Sequence, residues 1–281
     1  MNPLVSAAWL AGRLSGPEPV IVLDATLPPV GVTPPVDTRA RYLAEHIPGA
    51  VFFDIDAISD HATTLPHMLP TADAFAASME ALGICDTATL VVYEQTSVFS
   101  APRAWWTLRV FGAKTVHILD GGLAAWIEAG YPTESGEVTR AATPFHATLN
   151  VEAVKNFADI QQLIAANAQI LDARSAGRFT GAAPEPRPGL SSGHMPGATS
   201  VPFLELVADG RLKSDTELRQ IFASKNVDLA QPITTTCGSG VTAAVIALGL
   251  EIAGAKQVTL YDGSWAEYAQ YPEAVIEKTL P

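Results

Sequence analysis

The chain has little positive charge and almost no cysteine. Seventeen lysines and arginines stand against 29 aspartates and glutamates, a net charge of -12. That balance excludes the broad basic face that nucleic acid or an anionic membrane surface requires, so neither is expected as a partner. It also means that any anionic ligand needs a local pocket of positive charge. No uninterrupted apolar run of about 18 residues occurs, so no membrane span is expected. The opening stretch MNPLVSAAWLAGRLSG lacks the charged start, apolar run and small-residue cleavage site of a signal peptide, and reads as a short amphipathic helix. The two cysteines, Cys85 and Cys237, sit in neither a CxxC nor any metal-ligand spacing. Free thiols in the cytoplasm are the expected state, with no metal or organic cofactor.

What the chain does have is itself, twice. VIVLDAT at 20–26 returns as AQILDAR at 168–174, and HIPGA at 46–50 returns as HMPGA at 194–198. Both pairs share one offset of 148 residues, from 24 to 172 and from 46 to 194. Near the end of each half, HILDGGLAAW at 117–126 returns as TLYDGSWAEY at 259–268. Three echoes in order imply two homologous domains. They are expected at 1–135 and 151–281, with 136–150, polar and without periodicity, as a linker. Within each half, short β-rich runs alternate with helical ones. In the second half AQILDA, PITTTC and QVTLY read as strands, and DTELRQIFASK, TAAVIALGLEIAG and SWAEYAQ as helices. The expected fold is therefore α/β, each domain a mainly parallel sheet with helices on both faces.

Ligands in such sheets bind beyond the carboxyl ends of the strands. The stretch TTTCGSGVTAA, 234–244, puts Cys237 there. A free cysteine with an ordinary pKa is only about 3% thiolate at pH 7, and a helix N-terminus can raise that share. Gly238 and Gly240 let successive N–H groups, Val241's among them, turn inward as an anion nest. The helix that follows adds its positive end, and the hydroxyls of Ser239 and Thr242 add donors. The alternative is a buried structural cysteine, and Cys85, in ALGICDTATL, fits that description. The matching loop of the first half, VVYEQTSVFSAPRAWW, has no cysteine, which points to one working site and one supporting domain.

In these motifs and in its duplication the chain resembles the tandem-domain rhodanese family of sulfurtransferases over essentially its whole length. CGSGVTA is similar to the loop of the 3-mercaptopyruvate branch. Thiosulfate-using members carry basic residues in the loop, where this chain has Gly238 and Ser239. The resemblance implies two rhodanese-like domains with the cysteine in the second only. It also implies transfer of sulfur from a small-molecule donor, through a persulfide on Cys237, to a thiol acceptor such as thioredoxin.

In DARSAGRFTGAAPEPRPGLSSGHMPGA, 172–198, Arg174, Arg178 and Arg187 fall within 14 positions, with Glu185 the one acid between them. Arginine's planar fork suits a carboxylate, and the resemblance implies that Arg178 and Arg187 hold the donor. Arg174 reads as structural. The resemblance further implies a relay from Asp56 through His67 to Ser239; on spacing alone His61 stands as an alternative to His67. His46 and His194, like Asp24, Asp120, Asp172 and Asp262, occur in both halves and so read as shared fold elements. Three rivals stand beside donor-specific transfer. A thiosulfate sulfurtransferase would prefer the other donor. A non-catalytic module would be indifferent to loss of Cys237. A cysteine phosphatase would need Cys-x5-Arg, and Ala243 stands where that arginine would be.

Overall fold

A strand buried on both faces can carry apolar residues at successive positions, and VIVLD and TLVVY do so. The computed structural model describes residues 2–28, 32, 34 and 36–279. Its strands are β1 (Leu4–Val5), β2 (Val20–Asp24), β3 (Val51–Phe52), β4 (Thr89–Tyr93), β5 (Thr115–Leu119), β6 (Val154–Lys155), β7 (Gln169–Asp172), β8 (Thr199–Ser200), β9 (Val207–Ala208), β10 (Arg211–Leu212), β11 (Ile233–Thr236) and β12 (Val258–Tyr261). Strands β9 and β10 pair with each other; the other ten form two five-stranded sheets.

The sheets run in the orders β1-β5-β4-β2-β3 and β6-β12-β11-β7-β8, the same order twice. Every recorded pairing in both is parallel. Parallel neighbours need crossovers, here supplied by α1 (Ala7–Leu14), α2 (Thr38–Ala44), α3 (Ile55–Ile58), α4 (Ala72–Ala81), α5 (Ala101–Val110) and α6 (Gly122–Glu128) in the first half. The second half has α7 (Phe157–Ala165), α8 (Ala176–Thr180), α9 (Asp215–Ser224), α10 (Val241–Ala253) and α11 (Ser264–Tyr268). No helix among the described residues is long and apolar enough to cross a membrane.

Of the described residues, one compact unit takes those up to His61, Leu69–Asn150 and Asp209–Arg211, and the other Ala62–Met68, Val151–Ala208 and those from Leu212 on. The stretch 136–150, expected as a linker, groups with the first unit. Thr148 and Asn150 donate their N–H groups to Phe111 and Val110 at 3.0 and 2.7 Å. Phe145 is buried and meets Phe75 edge-on at 5.5 Å. One apolar ring in a polar segment is enough to lay it down, because burying a phenylalanine gains roughly 1.5–3 kcal/mol.

In the first unit Leu10 of α1 and Leu123 and Trp126 of α6 pack with Val22 and Val91 of the sheet. In the second, Ile160 of α7 and Trp265 and Tyr268 of α11 pack with Ile170 and Tyr261. Helix α10 is buried along nearly its whole length. At Gly249 it passes so close to Leu206 and to Leu218 and Phe222 of α9 that a β-carbon would lie 2.7 Å from Leu206.

The repeated HxPGA motifs make one device twice. Ala50 and Ala198 donate back to Ile47 and Met195 at 2.9 and 3.0 Å, closing turns in which Gly49 and Gly197 take φ of 75° and 72°. Proline followed by a left-handed glycine suits a type II turn. His46 and His194 stack on Tyr42 and Phe179, and their Nδ1 atoms lie 2.7 and 2.9 Å from the carbonyls of those residues. Both histidines are fold elements.

Candidate active site

Strand β11 lies at the middle of its sheet, and Thr236 pairs with Asp172 at the end of β7. Cys237 and Ala173 therefore leave the sheet side by side, Ala173 donating to the Thr236 carbonyl at 2.8 Å. Cys237 is free and 1% exposed. The carbonyls of Cys237 and Gly238 accept the N–H groups of Trp265 and Ala266 at 2.9 Å each. A peptide plane whose carbonyl points one way turns its N–H the other. The Ser239 N–H accordingly reaches the Cys237 Sγ at 3.5 Å. Gly240, at φ 77°, ends the loop and starts α10 with Val241, so the positive end of a 13-residue helix abuts it. Ser239 and Val241 are buried and Thr242 is half-buried.

Ser264, which the sequence reading passed over, anchors this loop from below. Its Oγ accepts the Cys237 N–H at 3.2 Å and donates to the Tyr261 carbonyl at 2.8 Å. It does so at φ 50°, a left-handed conformation that costs a serine of order 1 kcal/mol. The signal for it was present: Gly122 occupies the same place in the first repeat, at φ 57°.

Arg178 and Arg187 converge on the loop. A β-carbon at Gly238 would lie 2.9 Å from Arg178 Nη2 and 3.6 Å from Arg187 Nη1. Glycine there leaves room for both guanidinium groups beside the sulfur-bearing turn. Arg174 is fully buried, as a structural residue would be. It donates to both oxygens of Asp172 and to Glu185 at 2.7 Å, and its guanidinium lies 3.9 Å from the Trp265 ring centroid. Burial opposes its charge, but the Asp172 and Glu185 carboxylates outweigh that and hold its pKa above the ordinary value. Glu185, 2% exposed, also takes Nε and Nη2 of Arg178 on its other oxygen.

Asp56 lies on α3 and is exposed, within the first unit. His67 groups with the second unit, in the segment Ala62–Met68. It is half-buried at φ 60°, in the left-handed region that few residues other than glycine adopt. His61 is exposed, with Nε2 3.2 Å from the Ala57 carbonyl, and belongs to the first unit.

The rhodanese-like domain family matches residues 6–129 and again 156–271. The chain belongs to the rhodanese family. It is 46% identical over 276 residues to the 3-mercaptopyruvate sulfurtransferase of Escherichia coli K12, covering 97% of each chain. It is 40% identical over 274 residues to the thiosulfate sulfurtransferase of Bos taurus, covering 94% of this chain and 91% of that one. Its structure superposes on the crystal structure of the 3-mercaptopyruvate sulfotransferase SseA from Escherichia coli with a TM-score of 0.87 and 44% identity, covering 95% of this chain and all of that one.

Both units thus carry the rhodanese fold, and their two loops can be compared position by position. In the first rhodanese domain Tyr93 pairs with Asp24 as Thr236 pairs with Asp172, so Glu94 stands where Cys237 does. The Glu94 carbonyl accepts from Leu123 at 3.1 Å, as that of Cys237 does from Trp265. Its carboxylate fills the loop itself, accepting the N–H groups of Phe99, Ser100 and Ala101 at 2.8–3.2 Å and the Ser100 hydroxyl at 3.1 Å. The non-cysteine domain has kept the anion cradle and closed it with a side chain of its own. Burial outweighs the four donors and raises the Glu94 pKa to about 7.

Proposed function

We propose that this chain is a sulfurtransferase that takes sulfur from 3-mercaptopyruvate through a Cys237 persulfide. The convergence of Arg178 and Arg187 on Gly238, next to a cysteine whose sulfur receives a loop N–H, carries the reading. The arginines hold the donor's carboxylate and keto oxygen. The Cys237 thiolate attacks the donor sulfur, and the carbon–sulfur bond breaks with its electrons going to carbon. The resulting enolate takes a proton and leaves as pyruvate, while the transferred sulfur stays on Cys237 as a persulfide. The loop N–H groups of Ser239, Gly240 and Val241, with the start of α10 at Thr242, stabilise negative charge on the sulfurs. A thiol acceptor such as thioredoxin then attacks the outer sulfur and restores the thiolate.

Ser239 carries the first hydroxyl after Cys237 in the loop, and His67 is its proposed partner, with Asp56 completing the relay that the family resemblance implies. The left-handed backbone at His67 supports that role, because such conformations gather at functional sites. Two unpaired cysteines suit the proposed cytoplasmic location. The test measures pyruvate and thiocyanate from 3-mercaptopyruvate plus cyanide, beside a thiosulfate reaction, for the unaltered chain, Cys237→Ser and His67→Ala. Preference for 3-mercaptopyruvate, no turnover by Cys237→Ser, and a fall of about 100-fold or more for His67→Ala are expected. Preference for thiosulfate would reverse the donor assignment, and unchanged His67→Ala turnover would remove the relay.

A further inference from the structure

The second domain contains a line of alternating charge that is not repeated among the described residues of the first. Asp172, at the end of β7, takes Arg174; Arg174 takes Glu185; Glu185 takes Arg178; and Arg178 overhangs Gly238. The first three members are almost wholly shielded from water, and only the last is appreciably exposed, at 22%. In the first domain Asp24 is equally buried, but Thr26 stands in place of Arg174 and simply donates to it at 2.5 Å. The ladder is thus found in the repeat that bears the cysteine, and its counterpart position is occupied without it in the repeat that does not.

The contact at the last rung is directional. Glu185 Oε2 holds Nε and Nη2 of Arg178, one side of the guanidinium plane. With that side committed, the fork can turn only its Nη1–Nη2 end towards a ligand, and Nη2 is the atom over Gly238. We infer that Glu185 is a positioning residue for donor selection: it fixes the edge that Arg178 presents, so that a planar carboxylate is received end-on. This rests on the sulfurtransferase reading above and deepens it. A carboxylate depends on the orientation of the fork, since its two bonds form only when the planes align. A tetrahedral dianion such as thiosulfate depends chiefly on how much positive charge the site holds. Glu185 therefore works for one donor and, as a negative charge close to the cradle, against the other.

Glu185→Gln separates these effects. Glutamine offers one acceptor oxygen to two guanidinium groups, and the fully buried Arg174 has the stronger claim on it, leaving Arg178 without its clamp. The KM for 3-mercaptopyruvate is expected to rise about tenfold with kcat within about twofold, while the KM for thiosulfate falls about two- to threefold. Glu185→Asp, which keeps the charge but shortens the reach, is expected to raise the 3-mercaptopyruvate KM about threefold and leave thiosulfate unchanged; it also serves if the glutamine variant fails to fold. In an Arg178→Lys background, Glu185→Gln is expected to have no further effect on 3-mercaptopyruvate, because the residue acts through the fork. Equal changes for both donors, or a full further effect without the Arg178 fork, would overturn the inference. An unaltered chain that turns over thiosulfate but not 3-mercaptopyruvate would instead overturn the donor assignment, and this role with it.

Discussion

At the scale of single residues, the two loops show one backbone solution put to two uses. The amide that faces a sulfur after β11, that of Ser239, has a counterpart in Phe99 that faces a carboxylate after β4. Glu94, unlike a surface glutamate, is held with its pKa raised to about 7 by burial. The folded state therefore keeps its proton more tightly than the unfolded chain does. The stabilisation is complete below about pH 4.5 and is lost as pH rises through about 7. Thermal melts across that range should show wild type losing roughly 3 kcal/mol relative to Glu94→Gln, whose amide does not titrate. Parallel pH curves for the two proteins would contradict this. Glu94 was legible in principle, since it follows its strand as Cys237 follows its own. A glutamate at a strand end carries no motif that marks it as buried. Ser264 and Glu185 were hidden for a better reason. A left-handed serine has no sequence mark of its own, and an ion ladder spanning positions 172, 174, 185 and 178 depends on how a loop folds back.

At the scale of elements, local signals and burial agreed, and the sequence reading was close. The run expected as a strand, PITTTC, contains β11; TAAVIALGLEIAG becomes α10; and DTELRQIFASK becomes α9. Helix α9 announces itself through a capping box, in which the Ser214 side chain receives the Glu217 N–H and the Glu217 side chain receives that of Ser214. Hydrogen bonds from Ser214 lower the Glu217 pKa. Because α9 packs on α10, whose first turn closes the cysteine loop, its loss is expected to be felt as stability and not as chemistry. Ser214→Ala should lower the stability of the chain by about 1 kcal/mol. Turnover measured well below the melting transition should stay within about twofold of wild type. A large fall in kcat at full folding would mean that α9 has a part in the site that its packing does not explain.

At the scale of the whole molecule, a chain of net charge -12 gathers two arginines, Arg178 and Arg187, about a single turn at Gly238. The duplication sorts residues in the sequence: what both halves share, the HxPGA turns and the paired aspartates, reads as fold, and Cys237, which only one half has, reads as chemistry. Arg174, whose counterpart is Thr26, is the exception: it is found in one half only, yet it is buried between Asp172 and Glu185. The duplication does not mark the edges of the compact units, because they depend on single anchors such as Phe145 and not on pattern. It also gave no sign that Ala62–Met68 groups with the second unit.

In the proposed mechanism sulfur rests on Cys237 between two half-reactions. The most direct measurement is intact and peptide mass spectrometry of the chain after brief exposure to 3-mercaptopyruvate, with no acceptor present. A gain of about 32 Da, one sulfur atom, confined to the peptide containing Cys237 and removed by cyanide, is the predicted result. Pyruvate released in one equivalent with no such gain, or a gain that persists in Cys237→Ser, would contradict the account.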